Sequence, residues 1–177
     1  MKQLNNYIIE KLQIGSNTKL GDNYNYHPKT RDELYELIGK LIEERGNEAD
    51  LNDIDVSKIT NMEFLFWESE FNGNISQWNV SNVTNMEGVF YDSEFNGNIS
   101  KWDVSNVTDM NSMFYMSQFN GDIKNWDVSN VIDMSGMFYD SKFNSDISKW
   151  QVDNKVKMNS MFTKSPLEKN PPKWYKE

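Results

Sequence analysis

One 24-residue unit returns five times without an insertion, and that periodicity governs every other reading of the chain. Phe71, Phe95, Phe119 and Phe143 stand 24 apart, and Trp78, Trp102, Trp126 and Trp150 keep the interval. So do Met62, Met86, Met110, Met134 and Met158, and Phe66, Phe90, Phe114, Phe138 and Phe162. The units run 47–70, 71–94, 95–118, 119–142 and 143–166. A unit this short cannot bury its apolar face alone, so copies must stack and share one core.

The ends of the array are degenerate, as terminal repeats must be. In the first unit Ile54 takes the Trp position and Leu51 the Ile position. Beyond the fifth, Leu167 falls at the Phe position and Trp174 at the Trp position, so 167–177 reads as a truncated sixth unit. Its Pro171-Pro172 pair would halt further pairing, because proline lacks an N–H.

Within a unit, Ile75, Trp78, Val80 and Val83 follow the strand pattern of a leucine-rich repeat, with Ile, Trp and Val in place of Leu. A short strand near Gln77–Val80 would stack about 4.8 Å from its copies. Met86, Val89 and Phe90 then sit at i, i+3 and i+4, which predicts a short helix over 84–91 capped by Thr84 or Asn85. Phe71 with Asn72-Gly73 forms the return turn, where Asn-Gly suits positive φ; in the fifth unit Asn144-Ser145 replaces it. The Trp, Phe and Met columns need no cofactor: each residue stacks on its own copy in a common core.

The phrase over 95–115, Phe-Asn-Gly-Asn-Ile-Ser-Lys-Trp-Asp-Val-Ser-Asn-Val-Thr-Asp-Met-Asn-Ser-Met-Phe-Tyr, closely resembles the BspA-like leucine-rich repeats of bacterial surface proteins, the DUF285 type. The resemblance covers roughly 51–166, about two-thirds of the chain. It implies a non-enzymatic, right-handed α/β solenoid of strand-plus-short-helix units that binds proteins. Relatives of this type include secreted adhesins that contact host matrix proteins, whereas similar short repeat proteins without a leader occur in bacteria and their phages.

Ahead of the repeats, Thr30-Arg31-Asp32-Glu33 opens a helix, with Thr30 and Glu33 placed as a capping box. Leu34, Leu37, Ile38, Leu41 and Ile42 line one face, Arg45 sits in the last turn, and Gly46 follows it. Residues 25–46 therefore read as an α-helical N-terminal cap within a cap region 1–46, with an entry turn at Pro28. Leu4, Tyr7, Ile8 and Leu12 have the spacing of a further amphipathic helix, either packed on the cap or serving as a partner-binding or dimerising arm. Residues 15–26 read as a loop with a strand near 24–26, and His27 beside Pro28 as a turn residue rather than a ligand.

Two surfaces are candidates for binding. Strand positions left out of the core would face the concave side: Asp53, Asp55, Gln77, Asn79, Lys101, Asp103, Asn125, Asp127, Lys149 and Gln151. The column Asp55, Asn79, Asp103, Asp127, Gln151 is acidic or amide throughout, and neighbouring like charges cost stability. It is either a solvated edge or a patch for a basic partner or cation; the nonapeptide repeats of calcium-binding solenoids are missing. The second candidate is the aromatic column Trp67, Tyr91, Tyr115, Tyr139, which is a hot-spot surface if exposed and core if covered by turns.

Charge and composition sharpen the choice among functions. The 177 residues include no cysteine, one histidine and one alanine, which excludes disulfides, thiolate sites and most histidine chemistry. The formal charge of -9 is unevenly spread. Residues 1–46 are neutral, 48–140 hold sixteen acids and three lysines, and 141–177 hold eight lysines and four acids. An acidic body disfavours phosphate-tracking nucleic-acid binding and steers basic protein partners. No Ser/His/Asp set, phosphate loop or metal spacing stands out, and the carboxylates recur with the repeat where a catalytic pair would break it. The expected function is a non-enzymatic protein-interaction module without cofactor or metal, such as a phage-type inhibitor of a host immune protein. The alternative is a fragment of a surface adhesin. The 1–10 segment lacks the long apolar run of a signal peptide, and no window reaches membrane-spanning length, so a monomer in the cytoplasm is expected. A trimmed secreted protein would instead be extracellular.

Overall fold

A computed structural model describes residues 24–176; the amphipathic segment expected over 3–14 lies outside the described residues. The one α-helix among them, α1, spans Arg31–Arg45. Thr30 begins it by accepting the Glu33 N–H at 3.2 Å. The Glu33 carboxylate accepts from the Lys29 N–H at 2.7 Å, one residue earlier than a standard capping box would place it. Gly46, at φ 86°, ends the helix and donates its N–H to the Ile42 carbonyl. Leu34, Leu37, Ile38 and Leu41 are buried and join the columns of the repeat in a single apolar core. Just before the helix, Tyr26 forms a parallel bridge with Ile54. That bridge sits where the sequence predicts a strand.

Successive units pair in parallel with a 24-residue offset. Asp50 bridges Asn74, and one continuous row runs Asn61, Asn85, Asp109, Asp133, Lys157. Pairing is confined to such single bridges among the described residues. The segment Gln77–Val80, where a strand is predicted, carries none. Its apolar residues Trp78 and Val80 are buried, but turns close on both sides of them. The Trp78 N–H returns to the Ile75 carbonyl at 3.2 Å and the Val83 N–H to the Val80 carbonyl at 2.8 Å. Turn bonds therefore consume the amides that a longer strand would donate sideways.

Residues 84–91 do not form the helix that their spacing predicts; they fold as successive turns. Alternate amides leave the unit: Met86, Gly88, Phe90 and Asp92 donate to the carbonyls of Asp109, Asn111, Met113 and Tyr115, at 2.7–2.9 Å. The amides between them, Val89 and Tyr91, reach back three residues within the unit. An α-helix would keep all of these bonds within its own segment. Left-handed φ angles at Gly88 (58°) and Asp92 (50°) enforce the break, and Phe64, Ser112, Gly136 and Ser160 repeat the first of them. A bend every three to four residues buries the same Met, Val and Phe that a helix would, so apolar spacing alone does not separate the two.

The inter-unit ladder has a last rung. In the fifth unit, the corresponding amides of Met158, Ser160, Phe162 and Lys164 meet no acceptor among the described residues. The chain instead enters a 3₁₀ turn at Pro166–Glu168.

Side chains carry the repeat through the core. Phe66, Phe90, Phe114, Phe138 and Phe162 stack with centroids 5.5–5.8 Å apart and planes within 9°. A second column, Phe71 to Phe143, keeps 6.2–6.3 Å. Each buried Trp donates its indole N–H to a carbonyl of the preceding unit: Trp78 to Leu51, Trp102 to Ile75, Trp126 to Ile99, Trp150 to Ile123. Trp174 repeats that bond to Ile147 at 2.8 Å and lies 6.0 Å from Trp150. The truncated sixth copy thus lies over the last core layer, with Tyr175 edge-on to Phe162.

The Asn-Gly return turns differ from expectation in one respect. Gly73 is not among the glycines with positive φ. Its role is close approach: a Cβ there would collide with the Ala49 backbone and the Phe71 ring. The distance to the preceding backbone widens along the array, so that a Cβ at Gly121 would stand 3.7 Å from the Gly97 carbonyl, though still only 2.7 Å from the Phe119 ring. Ser145 occupies the corresponding place in the fifth unit, its hydroxyl donating to Asn120 O at 3.0 Å.

Candidate functional site

Every unit turns its corners on side-chain acceptors. The Asn79 carbonyl oxygen accepts from the Ser81 N–H (3.2 Å), Asp103 from Ser105 (3.1 Å) and Asp127 from Ser129 (3.0 Å). Each is an Asx turn, in which a short polar side chain replaces a backbone carbonyl. Two further columns do the same at Asn74, Asn98, Asp122 and Asp146, and at Asn61, Asn85, Asp109 and Asp133. This accounts for the abundance of Asn and Asp. The turns call for a side-chain acceptor at 79, 103 and 127, which Asn and Asp supply equally, so the column has a structural role whichever of the two stands there. Hydrogen bonds from the Ser129 hydroxyl and amide hold the Asp127 carboxyl below its ordinary value.

The ten residues predicted for the concave side separate into two groups. Asp53 and Asp55 are half-buried and engaged with the cap. Both Asp53 oxygens accept from Arg45 at 3.1 Å, and Asn25 donates to one of them. Asp55 lies 3.3 Å from His27 Nδ1 and accepts the Ser57 N–H. The other eight, Gln77, Asn79, Lys101, Asp103, Asn125, Asp127, Lys149 and Gln151, are exposed. Asp103 and Asp127 keep one carboxylate oxygen outside the turn bond.

Sequence reasoning passed over a second acidic row. Glu63, Glu87, Asp109 and Asp133 are all half-buried, one per unit. Burial, followed by the charges of Asp109, Glu63 and Asp133, raises the Glu87 carboxyl above its ordinary value. Asp133 goes the other way: burial opposes ionisation, but hydrogen bonds from Ser135 and from Lys157 at 3.3 Å prevail. At the opposite end Arg31 donates to the Glu63 carbonyl. The recurrence of Asn or Asp at 61, 85, 109 and 133 was the available signal. No group of three or more His, Asp or Glu is placed to hold a metal ion among the described residues.

The aromatic column is neither wholly exposed nor core. Tyr91, Tyr115 and Tyr139 are half-buried and lie face to face, 4.6 Å apart with planes within 5°. Burial, then the neighbouring Tyr91 and Tyr139 hydroxyls, raises the Tyr115 phenol above its ordinary value. Lys164 stands 5.2 Å over the Tyr139 ring. Trp67 departs from the column: it is 52% exposed, and Phe64 from the same unit contacts Tyr91 instead.

A family model described as "Mycoplasma protein of unknown function, DUF285" matches residues 39–140 and 97–175. No curated protein and no solved structure matches the chain. Among the described residues, no helix is long and apolar enough to cross a membrane.

Proposed function

The chain belongs to the DUF285 family, and from that premise we propose that it is a non-catalytic protein-binding module whose stacked units present an acidic surface to a basic protein partner. The units wind as a right-handed solenoid of the BspA-like leucine-rich type, with hydrogen-bonded turns where that pattern has short helices. The parallel pairing of each residue with the one 24 positions on supports this architecture.

The observation that carries the binding reading is the Asx-turn column. Asp103 and Asp127 are exposed and fixed by local hydrogen bonds, so their charges are held in place before any partner arrives. Pre-set charge on a rigid scaffold lowers the ordering cost of association and speeds encounter. The carboxylates belong to the repeat, so no single unit has the singular geometry that a catalytic site needs.

The test is affinity capture from the native host with the wild-type chain and with the Asp103→Lys/Asp127→Lys variant. The reading expects one partner with a basic surface, retained by wild type and lost by the variant. Equal retention by both sinks it. An intracellular partner favours an inhibitor that occludes or imitates an acidic ligand of a host protein; a matrix protein favours adhesion.

A further inference from the structure

A groove of about 830 Å³ runs between α1 and the turn that follows Phe66. Its floor is apolar, with buried Leu37 and Ile38 from the helix and Leu65 and Phe66 from the first unit. Two large aromatics stand at its walls, Tyr35 at 49% exposure and Trp67 at 52%. Its rim is acidic: Glu36, Glu43, Glu44 and Glu68 line it against a single cation, Lys40, which lies 3.7 Å from Glu44.

The chain already shows how such aromatics are satisfied. Arg31 sits 4.8 Å over the Tyr35 ring, and Lys164 sits 5.2 Å over Tyr139 at the far end of the aromatic column. Trp67 has the largest ring face and the greatest exposure of this set, yet it has no cation over it and no ring contact among the described residues. An indole face is the strongest of the aromatic acceptors for a cation.

We propose that this groove receives an amphipathic, basic segment of a protein partner, with apolar side chains against Ile42 and the exposed Tyr35 and Trp67 rings and an Arg or Lys side chain over Trp67. Charge complementarity selects this occupant: four carboxylates and one engaged cation attract a basic chain and repel an acidic one. Exposed Trp and Tyr rings set on a rigid, well-packed support are the residue types that dominate binding hot spots. The proposal rests on the protein-binding reading but places contact at the cap junction, away from Asp103 and Asp127.

Two fluorescein-labelled 14-residue peptides provide the probe, sharing a leucine face and carrying Arg on one polar face and Glu on the other. Fluorescence anisotropy with the full chain is expected to detect binding of the Arg peptide alone. Trp67→Ala and Glu68→Lys should each weaken it roughly tenfold, while Asp103→Lys/Asp127→Lys leaves it unchanged. Trp67 is half-exposed, so its replacement does not threaten folding, and unchanged circular dichroism checks this. No binding of the Arg peptide, indifference to Trp67→Ala, or an equal loss in the Asp103→Lys/Asp127→Lys variant overturns the proposal. A photo-cross-linker introduced as Glu68→p-benzoylphenylalanine identifies the occupant. Cross-linking to the peptide supports the proposal, whereas capture of residues 1–23 of the same chain, or of a second copy, overturns it. Failure here leaves the host-capture result of the Asp103/Asp127 column standing or falling on its own.

Discussion

Arg45 grips Asp53 with both terminal nitrogens of its guanidinium, each 3.1 Å from a carboxylate oxygen. The pair joins the last turn of α1 to the first repeat, and the Tyr26 ring lies 5.7 Å from the same guanidinium. Burial works to raise the Asp53 pKa, but bonds from Arg45 and Asn25 outweigh it and hold the carboxyl below its ordinary value. A depressed folded-state pKa contributes stability above the unfolded value and loses it as pH falls through the folded one. Asp53→Ala should therefore cost on the order of 1 kcal/mol at pH 7, since both groups are partly solvated. The deficit should shrink as pH falls below the ordinary carboxylate range. Urea denaturation of the two proteins at pH 7 and at successively lower pH checks this.

Trp126 illustrates how the core is fastened. It is 4% exposed, and its indole N–H reaches the Ile99 carbonyl at 3.2 Å. Trp126→Phe keeps most of the ring and leaves the Ile99 carbonyl its bond from the Trp102 N–H at 3.1 Å, so it should cost only about 0.5–1.5 kcal/mol. Trp126→Ala adds a cavity and should cost about 3–5 kcal/mol. Thermal unfolding of both variants should preserve this order; a Trp126→Phe protein as stable as wild type would show that the hydrogen bond contributes little.

Glu87 sits unfavourably in its acidic row. Its carboxyl is raised by burial and by Asp109, Glu63 and Asp133. A raised carboxyl pKa means that folding is favoured at low pH and loses stability as pH rises through the unfolded value toward the folded one. Glu87→Gln should thus stabilise the protein at pH 7 by a few tenths of a kcal/mol. The advantage should shrink below pH 4, as denaturation midpoints at the two pH values will register.

The Asx turns separate structure from binding. Asp127→Asn retains the acceptor for the Ser129 N–H and should leave the melting temperature within about 1 °C. Asp127→Ala removes the acceptor and should lower it, while both variants forfeit the charge that the proposed basic partner would meet. Melting curves beside binding assays distinguish the two roles.

Much of this architecture was legible because stacking multiplies one unit. The 24-residue interval of Phe, Trp and Met named the buried columns, and the Thr30, Glu33 and Gly46 signals marked the termini of α1. The 84–91 backbone was not legible. Met86, Val89 and Phe90 are buried by a helix and by a string of turns alike, and the choice depends on where the amides of Gly88 and Phe90 find acceptors. Those acceptors lie a whole unit away, beyond the reach of local spacing. Asp103 and Asp127 were singled out for charge, although their hydrogen bonds to Ser105 and Ser129 are local and could have been read from Asp-x-Ser. The row of Glu63 and Glu87 escaped notice because partial burial depends on the neighbouring units and not on residue type.

Residue-resolved amide hydrogen exchange tests the in-register stack most directly. Met134, Gly136, Phe138 and Asp140 donate to the unit that follows them, whereas their equivalents Met158, Ser160, Phe162 and Lys164 meet no acceptor among the described residues. Strong protection of the first four amides and fast exchange of the second four is the result expected. Equal protection of the two sets, or fast exchange in both, would contradict the stacked-unit account.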